Sequence, residues 1–225
     1  MAKYPASGTH LQYVDTGEWV NVGQITNIAG PNLANETVDV TGMETFHREF
    51  ISAKNYGGGE IAIDVVFDPV ALGAHATLAG KVQTGEAIDW VICWPNYAAH
   101  TIAFDEADMT VAADSINAPL HGLIAGRPIT FTRTLSLPTP LLDNRVYYVI
   151  VDDADTLQIG DTNALAITAT FIVLTDDGDD GNTIQYGSIA TFPGFLKSVV
   201  PSGNQGGAIT GRMTIQVSGA VTLTP

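Results

Sequence analysis

The chain has 225 residues, of which 45% are hydrophobic and 15% charged, with a net charge of −15 and a single cysteine. It is long enough to bury one large all-β core or two smaller ones, and no apolar run approaches the length of a membrane span. One cysteine excludes an internal disulfide framework, and the acidity argues against direct binding to phosphate backbones, which needs Lys and Arg to displace counterions.

The start, MAKYPASGTHLQYVDTG, lacks a basic region followed by an apolar one, so no signal peptide is expected and synthesis in a cytoplasm is. LQYVDTGEWVNVGQITNI reads as two short strands about the turn-forming Asp15, Thr16 and Gly17. Gly30 and Pro31 stop the second of them. Between Gly30 and Pro69, two strand-patterned segments, ETVDVT and EIAIDVVF, flank a stretch from Met43 to Tyr56 that closes on Gly57, Gly58 and Gly59. A connection this long without a regular period either binds something or is disordered. Phe46, Phe50, Ile51 and Tyr56 argue against disorder, so the stretch reads as an arm reaching a neighbouring subunit.

EIAIDVVFD puts Ile61, Ile63, Val65 and Phe67 on one face and Glu60, Ala62, Asp64 and Val66 on the other, the mark of a strand with one buried face. Asp68 as N-cap, Pro69 at the first helical position and Gly85 as stop then predict the one helix, with Leu72, His75, Ala79 and Val82 on one stripe. Gly73 and Gly80 weaken it by roughly 1 kcal/mol each relative to Ala, so packing must hold it. His75 on that stripe is expected to be a hydrogen-bonded, half-buried histidine rather than a ligand. AIDWVICWPN and HTIAFDE follow as strands, with Cys93 a small buried or half-buried side chain.

The character changes after Phe104. Residues 104–183 carry thirteen acids against Arg127, Arg133 and Arg145, a net charge of −10 that leaves −5 for the rest of the chain. The strand-like segments ITFTRTL, VYYVIVDD, TLQIG and ATFIVLT lie here, divided by turns such as DDGDDGN. Removing this region joins a strand ending near Phe104 to one starting near Gly187. Residues 105–184 therefore read as a β-rich surface module inserted into a discontinuous domain made of 1–104 and 185–225. The chain closes on a hairpin whose last strand alternates Met213, Ile215 and Val217 with Arg212, Thr214, Gln216 and Ser218.

No constellation for chemistry emerges. The five histidines have no metal-site spacing and no cysteine pair completes a zinc site. The triple glycine precedes a strand, whereas a phosphate-cradling loop follows one. DDGDDG does not fit a calcium loop and reads as a solvated turn. Glu60 with Asp64, and Asp39 with Glu44, are carboxylates of the kind found on the wet face of strands. No catalytic residue, metal or cofactor is expected, and the chain does not read as an enzyme.

GTHLQYVDTGEWVNVGQITNIAGPNL, followed by ETVDVT, REFI, GGEI and FDP, resembles the major tail tube protein of long, non-contractile-tailed bacteriophages. The ending FPGFLKSVVPSGNQGGAITGRMTIQVSGAVTL is similar to the closing hairpin of that family, and together the two matches span residues 8–103 and 187–223. SAKNYGGG departs from the family's shorter Gly-Leu-type turn. HGLIAGRPITF, YYVIVDDADTLQI and TNALAI resemble a small module found in several phage structural proteins.

The resemblance implies an all-β fold with one short helix, a sandwich or barrel subunit that closes into a ring-shaped β-barrel on oligomerisation. It implies homohexameric rings stacked into the hollow tail tube through which DNA is delivered, with localisation in the virion and no membrane insertion. Tape-measure, tail terminator and distal tail proteins are the implied partners, and double-stranded DNA passes without sticking. In that setting Met43, Phe46, Arg48, Phe50, Ile51 and Tyr56 become a ring-stacking arm, with Gly57, Gly58 and Gly59 as its hinge. Glu60, Asp64, Thr214, Gln216 and Ser218 become candidates for the lumen wall, and the inserted module is expected on the outside of the tube. The alternatives are another ring-forming tube subunit, or a virion decoration or host-surface-binding protein that uses Tyr147 and Tyr148.

Overall fold

A computed structural model of the chain describes residues 8–16, 18–32, 34–41, 47–48, 50–57, 59–68, 73–151, 153–161, 171–203 and 207–224, with side chains for all of these but 18, 34–38, 50–57, 99 and 151. The fold is all-β with one short α-helix. In chain order the first strands are β1 (His10–Asp15), β2 (Glu18–Asn21), β3 (Ile25–Ala29), β4 (Ala34–Asp39), β5 (Phe50–Gly57) and β6 (Glu60–Val66). Helix α1 (Ala74–Thr84) leads to β7 (Ala87–Cys93), β8 (His100–Phe104), β9 (Met109–Thr110), β10 (Ser115–Asn117), β11 (Pro128–Thr132), β12 (Val146–Val151) and β13 (Thr156–Gly160). The last are β14 (Asn182–Tyr186), β15 (Ile189–Ser202), β16 (Thr210–Val217) and β17 (Thr222–Thr224).

Two compact units divide these elements: Met1–Val22, Val91–Ala190 and Leu223–Pro225 form one, and Gly23–Trp90 with Thr191–Thr222 form the other. In the second unit β15, β16, β6 and β3 lie side by side in that order, each pair antiparallel. Alternation decides which face is dry. Ile61, Ile63 and Val65 of β6 and Met213, Ile215 and Val217 of β16 are all buried, as are Leu78, Trp90, Phe192 and Leu196 of the same unit. Each such side chain contributes about 1.5–3 kcal/mol on leaving water. The Trp90 indole N–H donates to the Gly194 carbonyl at 3.1 Å, so the largest core side chain has its polar edge satisfied.

The helix ends as its sequence predicts, with Gly85 left-handed at φ 63° and its N–H bonded to the Lys81 carbonyl. It does not begin at Asp68 and Pro69. Gly73, in extended conformation, is the N-cap, and residues 69–72, Leu72 of the expected stripe among them, lie outside the described residues. The buried residues of the helix are His75 and Leu78, three apart, rather than Ala79 and Val82. His75 stacks on Phe67 with ring centres 5.4 Å apart and accepts the Asp68 N–H at 2.9 Å, so it is a packed, hydrogen-bonded core histidine.

The first unit holds a seven-stranded antiparallel sheet in the order β8-β14-β11-β12-β13-β10-β9. Its core includes Phe104, Ile116, Ile129, Phe131, Tyr147, Val149, Leu157, Ile159 and Ile184. Phe104 and Asn182 are register partners, so the two ends of the intervening segment sit on adjacent strands. From Pro128 to Phe131 every residue of β11 is buried, because the strand is central in the sheet. ATFIVLT supplies an isolated bridge from Phe171 to Gly160 rather than a described strand, and residues 162–170 lie outside the described set. The run at Asp176–Gly181 is a hydrogen-bonded turn: Asp176 accepts the N–H groups of Thr139 and Gly178, Asp179 accepts the Ser136 hydroxyl, and Asp180 accepts the Glu106 N–H.

Within the same unit the sheet is joined to flanking segments by buried contacts. The Gln12 side-chain amide, fully buried, donates to the Gly126 carbonyl at 2.5 Å. Val91, Cys93 and Ile189 pack with Trp19 and Ile124. Arg127, 2% exposed, donates to the Gly187 carbonyl and lies 4.5 Å from the centre of the Tyr186 ring. Burial pushes the neighbouring Cys93 thiol up to about 12, partly offset by the Arg127 charge, so Cys93 is an inert core residue.

Candidate functional site

The face of the second unit's sheet opposite its core is the candidate site. Alternation places Glu60, Ala62 and Asp64 of β6 beside Arg212, Thr214 and Gln216 of β16, with Asp64 opposite Arg212 and Glu60 opposite Gln216. A bulge between Leu196 and Ser198 brings Ser198 opposite Thr214 and Val200 opposite Arg212. On the other side Asn27 of β3 is the register partner of Asp64. Ser218 follows β16 and is exposed, its N–H bonded to the Pro193 carbonyl at 3.0 Å.

Two acids and two bases share this face, and each acid meets a base. Lys197 is ion-paired with Glu60, and the Arg212 Nε lies 3.8 Å from Asp64 Oδ1. The other Asp64 oxygen accepts from the Asn27 amide at 3.1 Å, and the Thr26 hydroxyl donates to the Asp64 carbonyl at 3.0 Å. The four charged side chains are 39–65% exposed, and pairs this open contribute about 0–1 kcal/mol to stability. Their larger effect is on the field, since they leave a polar wall that is close to neutral.

Gln216 is held back from the open face. Its side-chain amide donates to the Gly59 carbonyl at 3.1 Å, which also accepts the Val217 N–H at 3.1 Å. The Gly59 carbonyl is therefore anchored to β16. Gly59 has φ 63°, and a Cβ there would stand 3.1 Å from the Asn32 carbonyl, so glycine is required.

The structure reshapes the arm. Met43, Phe46 and Gly58 lie outside the described residues, and Arg48 is exposed. Phe50, Ile51, Tyr56 and Gly57 are not in an irregular connection: Phe50–Gly57 is strand β5, paired antiparallel with β4 as a two-stranded sheet of its own. The sequence signal missed was cross-strand pairing. Val38 opposite Ile51 and Thr37 opposite Ser52 make a ribbon that no local period announces. The described residues contain no group of His, Cys, Asp and Glu able to hold a metal ion, and no helix among them is long and apolar enough to cross a membrane.

No family model matches the chain, and no curated protein matches it. A solved structure does. A chain from the tail of an empty GTA particle, determined by helical refinement with C6 symmetry, is similar to this one over 96% of each chain, at 12% identity and a TM-score of 0.46. A likeness of this size is too coarse to carry residues across. Within the site, Arg212 was legible from the sequence, since it shares its parity with Thr214 and Gln216. The matching of each base to an acid was not, because Lys197 and Glu60 are 137 positions apart and meet only through the order of the strands.

Proposed function

We propose that the chain is a structural subunit of a phage-type tail tube, assembling into stacked hexameric rings around a channel that DNA crosses. The observation that carries this reading is the two-faced sheet of β15, β16, β6 and β3, apolar and buried on one side, polar and charge-balanced on the other. A wall that duplex DNA must slide along needs polar groups without unpaired cations, because unpaired Lys and Arg would hold phosphates. The order of family-like motifs, from GTHLQYVDTG to the closing hairpin, supports the same reading.

Two further features fit it. Among the described residues β3 pairs on one side only, and closing such an edge against another copy in a ring removes an aggregation hazard. The β4–β5 ribbon is a two-stranded sheet, which is marginal in water by itself and suits an arm that becomes fixed on stacking, with Phe50, Ile51 and Tyr56 on it as anchors. Residues 105–184 are then the inserted surface module, and the role is structural rather than enzymatic. Negative-stain microscopy and sedimentation of the purified full chain test the proposal. Rings or hollow filaments are expected, whereas a discrete monomer at every concentration and salt condition rejects it.

A further inference from the structure

The acids on the polar face are each placed beside a base. Among β3, β6, β15 and β16 the only basic residues are Lys197 and Arg212, and the only acids are Glu60 and Asp64. The pairing is one to one. It is also not forced by neighbouring strands in the case of Lys197: β15 and β6 are separated by β16, so the lysine extends over β16 to reach Glu60. Asp64 is held from its other side by the Asn27 amide, which fixes the carboxylate while its first oxygen faces Arg212. On helix α1 of the same unit Lys81 is likewise paired, with Glu86 at 3.1 Å.

We infer that Glu60 and Asp64 serve as built-in counter-ions that mask Lys197 and Arg212 from nucleic-acid phosphates, with Asn27 positioning Asp64 for that task. The inference rests on the reading of this face as a channel wall. Free Lys and Arg on such a face bind DNA by displacing its condensed counterions. A carboxylate already at each cation takes the place of the phosphate, so passing DNA gains nothing by stopping. Repulsion and masking differ in one consequence. If the acids repel, removing them matters whether or not the bases are present; if they mask, removing acids and bases together changes nothing.

The test compares wild type, the E60Q/D64N pair and the E60Q/D64N/K197Q/R212Q set, both as free subunits and as assembled protein, for retention of a short linear DNA duplex. The paired variant is expected to retain the duplex, with roughly a tenfold loss between about 50 and 200 mM salt for two phosphate contacts per subunit. Wild type and the fourfold variant should retain little and match each other, and N27A should shift retention in the direction of D64N alone. Masking is overturned if the paired variant retains no more than wild type, or if the fourfold variant retains as much as the pair. Microscopy of the wild-type sample judges the tube reading separately, and the free-subunit measurement decides masking even where no tube forms.

Discussion

Gly187 is the position at which a single methyl group should do the most damage. A Cβ there would lie 1.7 Å from the Trp94 carbonyl oxygen and 2.9 Å from the Trp94 carbonyl carbon, both of them backbone atoms that cannot swing away. Relief requires the two segments to part by more than an ångström. That parting would break Trp94 N–H to the Ser188 carbonyl at 3.0 Å and Ser188 N–H to Asn96 Oδ1 at 2.8 Å. The Asn96 amide to the Ser188 hydroxyl at 2.9 Å and the Arg127 bond to the Gly187 carbonyl would go with them. At about 1 kcal/mol for each bond lost, Gly187→Ala should destabilise the first unit by roughly 3–5 kcal/mol. Against a total of about 5–15 kcal/mol for a typical domain that is a large fraction.

Cys93 supplies the assay. It is 1% exposed and its thiol is inert while folded, so its modification rate in native buffer reports the population of opened molecules. A loss of about 4 kcal/mol corresponds to a rate higher by about three orders of magnitude, alongside a lower urea midpoint. A Gly187→Ala protein with the wild-type midpoint and an unreactive Cys93 would refute the steric reasoning.

Replacing Arg127 by Met removes the ring contact and the Gly187 bond but also relieves a buried charge, so a net destabilisation of about 1–3 kcal/mol is expected by urea titration; an unchanged midpoint would count against the contact. Hydrogen bonds hold two carboxyls below the usual aspartate value of 3.8: Asp153 accepts from Asp155 and then Thr156, and Asp176 accepts from Thr139 and then Gly178. Because their folded values are lowered, the stability they contribute is present above about pH 4–5 and is lost as pH falls through the folded values. The tyrosine near-ultraviolet signal of the seven-stranded sheet should therefore melt more easily below pH 4, and Asp153→Asn with Asp176→Asn should flatten that dependence; an equally steep profile in the variant contradicts it. On assembly, amide exchange across Phe50–Gly57 should slow, and equal exchange in subunit and assembly would remove the arm.

Local pattern carried most of the strands. Ile61, Ile63 and Val65 announced a dry face by alternation, and Gly85 announced the helix end, because both signals live within a few residues. What local pattern could not carry was partnership across the chain. The Phe50–Gly57 segment looked irregular because its order comes from β4, and the first helical turn was misplaced because an Asp-Pro pair resembles a cap without having to act as one. The charge balance of the candidate wall needed the order β15-β16-β6-β3, which brings Lys197 to Glu60 and Arg212 to Asp64. The buried joints at Gln12, Arg127 and Gly187 were invisible for the same reason. They also warn that excising residues 105–184 would strip Ile124, Gly126 and Arg127 from around Gln12 and Cys93.

The most direct test of the central claim is the accessibility of the polar face in the assembled state. With Cys93 buried, a single thiol introduced by Thr214→Cys can be challenged with a small maleimide and with a bulky polymer-linked one, and Asp143→Cys on the exposed surface of the first unit serves as the control. If the face lines a channel, assembly should leave the small reagent reactive at position 214 while excluding the bulky one, and both reagents should still reach position 143. Equal reaction of the bulky reagent at position 214 in free and assembled protein would contradict it.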